Sequence, residues 1–178
     1  MAGAQHPFRF VTQTSVVSKA PPDIVFDTIA DLRAHLIWSG ERASDDTFKL
    51  LSLETPSEGQ ARVGATFTSS GANFNGTFHD SSVIAEATRP NVFVIETDAH
   101  LDRKRGKAWD VHFSHRYDIA SEGGGSKITY TETISHVNYV PYWLKPWLRP
   151  ITKTAINRAD RKQLGNLARL AEERADSW

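Results

Sequence analysis

The sequence predicts an α+β fold, in which a seven-stranded antiparallel sheet curls around one long C-terminal helix. Three observations lead to this prediction. Residues 151–175 are strong helix formers with a single apolar stripe. Residues 47–137 alternate with period two between short turns, and one strand and two short helices precede them. Turns this short join antiparallel neighbours, so the middle of the chain is predicted to be a meander of six strands.

The chain opens with a strand and two short helices. Phe8–Lys19 is rich in Phe, Val and Thr, which favours a strand, and two prolines at positions 21 and 22 end it. Proline is tolerated in the first turn of a helix, where its missing N–H would have no intrahelical partner. We therefore predict a helix over Pro22–Ala30 and a second short helix that reaches Trp38.

Alternation of apolar and polar residues predicts the six strands that follow. They are Thr47–Glu54, Arg62–Ser69, Thr77–Thr88, Val92–Asp98, Lys107–Ala120 and Lys127–Val137. Pro, Gly and Asn mark the turns between them, at residues 56–59, 71–73, 89–91, 105–106 and 122–125. A twisted sheet of this size can curl and leave one face concave, and only the last helix is long enough to fill that face.

The terminal helix has an imperfect apolar face. At about 100° per residue, one stripe carries Ile156, Ala159, Leu164, Leu167, Leu170 and Ala171. Asp160 and Gln163 fall among these apolar positions, where burial costs free energy unless each side chain finds a partner. Either neighbouring groups satisfy the two side chains within a packed core, or this face of the helix lines a wet cavity.

Length and composition limit the classes of function. The 178 residues suit one domain, 1–178, with residues 1–6 expected to be flexible. Lys+Arg and Asp+Glu balance at 21 each, so no overall field attracts nucleic acid. We find no apolar run long enough to span a bilayer and no secretory signal, and we expect a cytoplasmic protein. The absence of Cys excludes disulfides, thiolate catalysis and Cys-ligated zinc.

Four groups of residues, spread over nearly the whole chain, carry a family resemblance. They are Ala20-Pro21-Pro22-Asp23-Ile24-Val25-Phe26 with Asp31 and Trp38, Val63-Gly64-Ala65-Thr66-Phe67, Ile84-Ala85-Glu86 with Arg89-Pro90, and the terminal helix. In these residues the chain resembles the START-like superfamily of polyketide cyclases/dehydrases and lipid-transport proteins. The resemblance implies the helix-grip fold of the birch-pollen allergen, with an apolar cavity between sheet and helix. This superfamily includes cyclases, dehydratases, hormone receptors and lipid carriers.

Alternation also sorts the side chains of three predicted strands into an inward and an outward face. On Lys107–Ala120 the inward residues are Trp109, Val111, Phe113, His115, Tyr117 and Ile119, and the outward residues are Asp110, His112, Ser114, Arg116 and Asp118. On Lys127–Val137 the inward residues are Ile128, Tyr130, Glu132, Ile134 and His136. On Arg62–Ser69 they are Val63, Ala65 and Phe67. Two adjacent strands therefore bring polar side chains into the interior.

These inward polar side chains are the candidates for chemistry. A buried carboxyl such as Glu132 has a raised pKa and can act as a general acid or base. An imidazole or a phenol beside it, from His115, Tyr117 or Tyr130, could polarise a carbonyl, as aldol cyclisation or dehydration requires. Three interpretations stay open: the groups satisfy one another in the core, they orient a ligand, or Glu132, His115 and Tyr117 are catalytic.

Two loops add further candidates. Residues 102–107 form a basic hairpin tip, which is either simply solvated or attracts an acidic group to the cavity mouth. Residues 138–150 contain four aromatic side chains and three prolines. This segment either packs against the base of the helix or exposes Tyr142, Trp143 and Trp147 to a lipid surface, a partner subunit or a ligand.

The sequence as a whole predicts a protein that binds a small hydrophobic or amphipathic ligand, lipid-like or polyketide-like, in an internal cavity. The predicted wall consists of Phe67, Trp109, Val111, Phe113, His115, Tyr117, Tyr130, Glu132, Trp143, Ile156 and Leu167. The alternatives are a polyketide cyclase/dehydratase and a membrane- or protein-docking module. We expect a monomer or a homodimer. No metal or other cofactor is expected, because His112 and His115 face opposite ways and no helix carries a metal-ligand spacing.

Overall fold

A computed structural model describes residues 6–43, 48–55, 59–73 and 76–177. Its strands are β1 (His6–Ser18), β2 (Lys49–Glu54), β3 (Thr66–Asn73), β4 (Gly76–Thr88), β5 (Val92–Arg103), β6 (Trp109–Glu122) and β7 (Gly125–Val137). Its α-helices are α1 (Pro22–Ala30) and α2 (Arg149–Ala175). Shorter helical turns lie at Leu32–Ala34, Leu36–Glu41 and Tyr142–Leu144.

The described residues form one antiparallel sheet of seven strands, in the order β1-β7-β6-β5-β4-β3-β2. Each strand from β2 to β7 pairs with its neighbour in sequence, and β1 closes the series by pairing with β7. The helical segments between β1 and β2 and the long helix α2 complete the predicted architecture. The predicted fold class, a sheet that grips the C-terminal helix, is confirmed.

The C-terminal half of α2 is fixed firmly to the rest of the chain. Its apolar residues Leu164, Leu167 and Ala171 are buried among side chains of α1 and the sheet. Polar contacts add to this packing: Asn166 donates to the carbonyl of Trp38 at 3.1 Å, and Glu172 accepts from the backbone N–H of Lys19 at 2.7 Å. By contrast, residues 151–163 are exposed or only half-buried. The N-terminal half of α2 is therefore the loosely packed part.

Two apolar clusters form the core. The first joins α1, the C-terminal half of α2 and the inward side chains near Phe93 and Ile128. The second lies at the other end of the sheet, around Trp109, Ile134 and Leu144. None of the helices in the described part of the chain is both long and apolar enough to cross a membrane.

The structure corrects the predicted course of β3. Arg62–Ala65 is a turn before the strand, because Gly64 has a positive φ of 85° there, and Val63 is 62% exposed instead of inward. The turn predicted at residues 71–73 lies within β3. Gly71 serves close packing, because a Cβ at this position would collide with the Phe78 ring and the Lys49 carbonyl.

The structure also corrects the face of His136. This residue has a positive φ of 48°, which interrupts the alternation of β7. Its ring is exposed and lies 5.7 Å from the ring of His112 on the outer face, and Val137 takes the buried position. Three other predictions lie partly outside the described residues: the flexible residues 1–6 (at 1–5), the strand Thr47–Glu54 (at 47) and the turn 56–59 (at 56–58). His6, which was included in the flexible segment, belongs to β1.

Candidate functional site

A cavity of about 240 Å³ lies between the concave face of the sheet and α2. Eight of the predicted wall residues line it: Phe67, Trp109, Val111, Phe113, His115, Tyr117, Tyr130 and Glu132. Apolar side chains from the edge of the sheet, among them Phe48, Leu50 and Phe78, continue the wall. The cavity separates the two apolar clusters of the core, so the helix does not fill the sheet completely.

Strand register brings the polar groups of the cavity together. Thr12 of β1 lies opposite Glu132 of β7, and Glu132 lies opposite His115 of β6. Tyr130 and Tyr117 form the next inward pair across β7 and β6, with ring centroids 5.0 Å apart. Nδ1 of His115 and the Tyr130 hydroxyl share a hydrogen bond of 2.7 Å. Adjacent positions on three strands thus form one polar group in an apolar wall.

A second carboxyl reaches this group from the helix. Asp160 lies on the loosely packed half of α2 and lines the same cavity as Glu132. Burial raises the pKa of Glu132 well above its usual range, and the charge of Asp160 raises it further. Burial also raises the pKa of Asp160, although the Thr12 hydroxyl partly offsets the rise. Glu132 keeps some accessible surface, but that surface faces the cavity. Each of the two carboxyls therefore ionises at a higher pH than an exposed carboxyl does.

The imidazole and the phenols beside the carboxyls are uncharged. Burial, with smaller contributions from the nearby His35 and His112, lowers the pKa of His115 to about 4. Burial raises the pKa of Tyr117 and of Tyr130 above the ordinary tyrosine range. At neutral pH the His115 imidazole and the two phenols are therefore neutral hydrogen-bonding groups.

A third carboxyl lines the cavity from β4. Ser69 donates to Oδ2 of Asp80 at 3.3 Å, and Oδ1 of Asp80 is buried without a hydrogen-bond partner among the described residues. Burial outweighs the opposing effect of the Ser69 hydrogen bond, and the net result raises the pKa of Asp80 to about 7. The Ser82 and Thr97 hydroxyls, on β4 and β5, share a hydrogen bond of 2.9 Å in the same wall.

Three predicted wall residues lie elsewhere. Trp143 packs edge-on against Trp109, with ring centroids 5.4 Å apart, and Ile156 packs against the second apolar cluster. Leu167 is fully buried in the first cluster. The apolar stripe of α2 thus contacts solid core on either side of the cavity. The α2 residues at the cavity wall are Ala159, Asp160 and Gln163.

Several wall residues were not among the predicted site residues. Asp160 and Gln163 interrupt the apolar stripe of α2, and this interruption is the sequence feature that distinguishes them from their neighbours. Asp80 and Ser82 share the inward face of β4 with the buried Phe78 and Ile84, so the alternation of this strand could have revealed them. His35 lies in an irregular helical segment, where no periodicity indicates its direction.

A wider, shallow trough of about 830 Å³ runs along the outer face of the sheet. In it, His100 pairs with Asp110 at 2.6 Å, and His112 pairs with Asp98 at 2.7 Å and Glu96 at 2.9 Å. Burial alone would lower the pKa of His112, but the hydrogen bonds to Asp98 and Glu96 outweigh it and raise the pKa. Within the described residues, no group of three or more such side chains is arranged to hold a metal ion. The cavity between the sheet and α2 is therefore a better candidate site than this outer trough.

Comparison with known proteins agrees with this architecture. A family model described as polyketide cyclase/dehydrase and lipid transport matches residues 9–172. The chain belongs to this family. The matched residues run from β1 into the last turns of α2, so every element that borders the cavity in this cyclase/dehydrase-family protein lies within the match.

Solved structures share the fold at low sequence identity. Mll3558 from Rhizobium loti has a TM-score of 0.62 at 15% identity, over 92% of this chain and 97% of that one. Ara h 8.0201 has a TM-score of 0.60 at 12% identity, over 92% and 98%. DynU16, from the dynemicin biosynthetic locus, has a TM-score of 0.52 at 15% identity, over 91% of this chain and 47% of that one. No curated protein matches the chain significantly in sequence. These identities show the fold alone.

Proposed function

We propose that this cyclase/dehydrase-family protein binds a small, largely apolar ligand in the cavity between sheet and α2. The observation that carries the proposal is a cavity with a mainly apolar wall and one converging group of polar side chains. Its volume, about 240 Å³, lies just below the range of about 300–1,000 Å³ that is usual for ligand sites. A compact ligand of one or two rings fits best.

Unsatisfied polar atoms in and beside the wall support the proposal. Nε1 of Trp38 and Oδ2 of Asp160 are buried and have no hydrogen-bond partner among the described residues. Both residues line the cavity. A buried polar group without a partner costs about 1–3 kcal/mol, so a ligand that supplies one gains binding free energy from it.

Filling the cavity from the helix is the direct test. Ala159 lines the cavity, whereas Ala155, one turn earlier on α2, is exposed. We expect Ala159→Phe to weaken the binding of 2-naphthylmethanol by at least about tenfold, the effect of losing roughly 1.4 kcal/mol. Isothermal titration calorimetry measures the affinity.

Ala155→Phe is the matched control, because it adds the same ring outside the cavity and should leave the affinity unchanged. Equal weakening by both substitutions, or no saturable binding by the unchanged protein, would contradict binding in this cavity. Thermal unfolding of each variant verifies that the fold is intact.

Catalysis is a second candidate function, favoured by the paired carboxyls. In the dehydration of a β-hydroxy ketone, an ionised carboxyl of the Glu132–Asp160 pair would take the α-proton. The protonated partner would give its proton to the departing hydroxyl, and water would leave. His115 and Tyr117 are placed to hydrogen-bond the ketone oxygen. Mass spectrometry of a bound β-hydroxy ketone after incubation distinguishes the functions, because binding alone returns it unchanged and dehydration removes one water.

A third candidate, docking on a membrane surface, is favoured by the segment before α2. Trp143 anchors this segment on Trp109, whereas Tyr142 and Trp147 are 67% and 63% exposed, with ring centroids 6.4 Å apart. Lys145 lies over the Trp147 ring at 5.5 Å. Residues 133–159 contain no Asp or Glu, so an exposed aromatic patch lies in a locally basic region. Such a patch suits an anionic lipid surface.

Vesicle binding tests this candidate. We expect the protein to co-sediment with vesicles of phosphatidylcholine and phosphatidylserine more strongly than with phosphatidylcholine alone. Trp147→Ala should weaken that binding about tenfold, because withdrawing an aromatic side chain from water contributes about 1.5–3 kcal/mol. Leu51→Ala, at an exposed apolar residue of β2, is the control. Loss of binding in Leu51→Ala as well, or a stable dimer that buries Trp147, would argue against a lipid surface.

A further inference from the structure

We propose that the preferred ligand of the cavity carries a protonated amine, held by the Glu132–Asp160 pair, on an aromatic or alicyclic body. The inference rests on the proposed ligand-binding function and names the chemical class of the ligand. It follows from the balance of hydrogen-bond donors, acceptors and charges around the cavity.

The cavity wall is rich in acids and has no permanent cation. Asp80, Glu132 and Asp160 line it, and no Lys or Arg belongs to the part of the lining that the structure describes. Its two histidines, His35 and His115, both have a pKa lowered by burial, so they stay neutral. A cation that neutralises the carboxyls must therefore come from the ligand.

The donors of the wall are largely used within the protein. His35 donates from Nε2 to the Ile29 carbonyl at 2.8 Å, and Gln163 donates to the Phe48 carbonyl at 2.8 Å. His115 and Tyr130 satisfy each other. Among the fully buried polar atoms of the described wall, Nε1 of Trp38 is a donor without a partner.

By contrast, two buried acceptor atoms of the wall lack a hydrogen bond. Oδ2 of Asp160 and Oδ1 of Asp80 are buried and have no hydrogen-bond partner among the described residues. An ammonium group supplies three donors and a positive charge, and hydrogen bonds between ionised partners are roughly twice as strong as neutral ones. A carboxylate ligand would instead add a negative charge to a site that already holds three acids.

The surroundings of the pair predict how binding depends on pH. Thr12 of β1, His115 and Tyr117 of β6 and Tyr130 of β7 face the two carboxyls, with His35 and Asp80 elsewhere on the cavity wall. Burial holds the pKa of Glu132 and of Asp160 above their usual ranges, so an arriving ammonium must displace a proton from the pair. Amine affinity should therefore rise between pH 5.5 and 8, and binding should release a proton.

Three ligands of the same shape test the inference: 2-naphthylmethylamine, 2-naphthylmethanol and 2-naphthoate. Calorimetry at pH 7.5, in buffers of different ionisation enthalpy, gives both affinity and proton release. We expect the amine to bind at least about tenfold more tightly than the alcohol, with release of up to one proton per amine. Asp160→Asn and Glu132→Gln should each weaken amine binding about tenfold and reduce the proton release, and each should weaken alcohol binding less than amine binding. Glu122→Gln, at an exposed carboxyl, should change neither.

The outcomes separate this inference from the function on which it rests. If the alcohol or the naphthoate binds as tightly as the amine, or if the amine binds without proton release, the cavity binds ligands but not amines. If neither carboxyl variant weakens amine binding, the inference is equally overturned. If none of the three ligands binds, or if Ala159→Phe does not weaken their binding, the proposed function itself fails.

Discussion

Replacing both carboxyls, Glu132→Gln with Asp160→Asn, is expected to remove a loss of stability that the unchanged protein suffers between pH 5 and pH 8. The change in the free energy of unfolding from pH 5 to pH 8 should therefore be more favourable in the double variant than in the unchanged protein. Both carboxyls have a pKa raised by burial in the folded protein. A carboxyl whose folded pKa exceeds its unfolded pKa gives its full stability below the unfolded value, and that stability is lost as the pH rises through the folded value. Amides do not titrate, so the variant loses this dependence.

The expected size is large. The pKa of Asp160 is raised from 3.8 to about 7, and stability is lost at about 1.4 kcal/mol per pH unit between these two values. About two of these pH units lie above pH 5, so the loss from Asp160 alone between pH 5 and pH 8 is on the order of 3 kcal/mol. His35 and His115, with lowered pKa values, change stability in the opposite direction as the pH rises toward 6.5. The prediction therefore concerns the difference between the variant and the unchanged protein.

Urea unfolding at pH 5, 6.5 and 8 measures this difference. Asp80 keeps its own pH dependence in the double variant, and adding Asp80→Asn should remove it. Glu122→Gln replaces an exposed carboxyl and serves as the control. An unchanged difference between pH 5 and pH 8 in the double variant would show that the two carboxyls ionise freely in the folded protein.

Leu167→Ala is expected to lower the free energy of unfolding by about 2–5 kcal/mol, the range for removing a fully buried leucine. Leu167 is completely buried between α2 and the first apolar cluster, where its loss leaves a void that packed neighbours cannot fill. Ile156→Ala, on the same predicted stripe but half-buried, should cost less than half as much. Chemical denaturation of both variants measures the two costs.

This comparison tests where α2 is packed. If Ile156→Ala were as costly as Leu167→Ala, the N-terminal half of the helix would be packed as tightly as the C-terminal half. The space beside Asp160 would then be closed in solution, and the proposed ligand site would lose its basis.

The sequence predicted most of the sheet and its inward residues for a simple physical reason. Successive strand side chains face opposite sides, so the alternation from Trp109 to Ile119 reveals which residues face inward without knowledge of the partner strands. The same rule was wrong for His136, because a positive φ inserts a local reversal that periodicity does not show. It was wrong for Val63, because the turn at Gly64 precedes the strand.

The sequence itself determined the order of the elements, the inward faces of the last strands and the polar residues within the apolar stripe of the terminal helix. These features depend on neighbours along the chain. Only the tertiary structure decided that Asp160 and Glu132 line the same cavity. It also decided that one half of α2 is packed in the core while the other half lies over the cavity. Asp160 lies 28 positions after Glu132 on a different element, and no local period relates the two. The angle at which the helix crosses the curled sheet brings their carboxyls into one buried space.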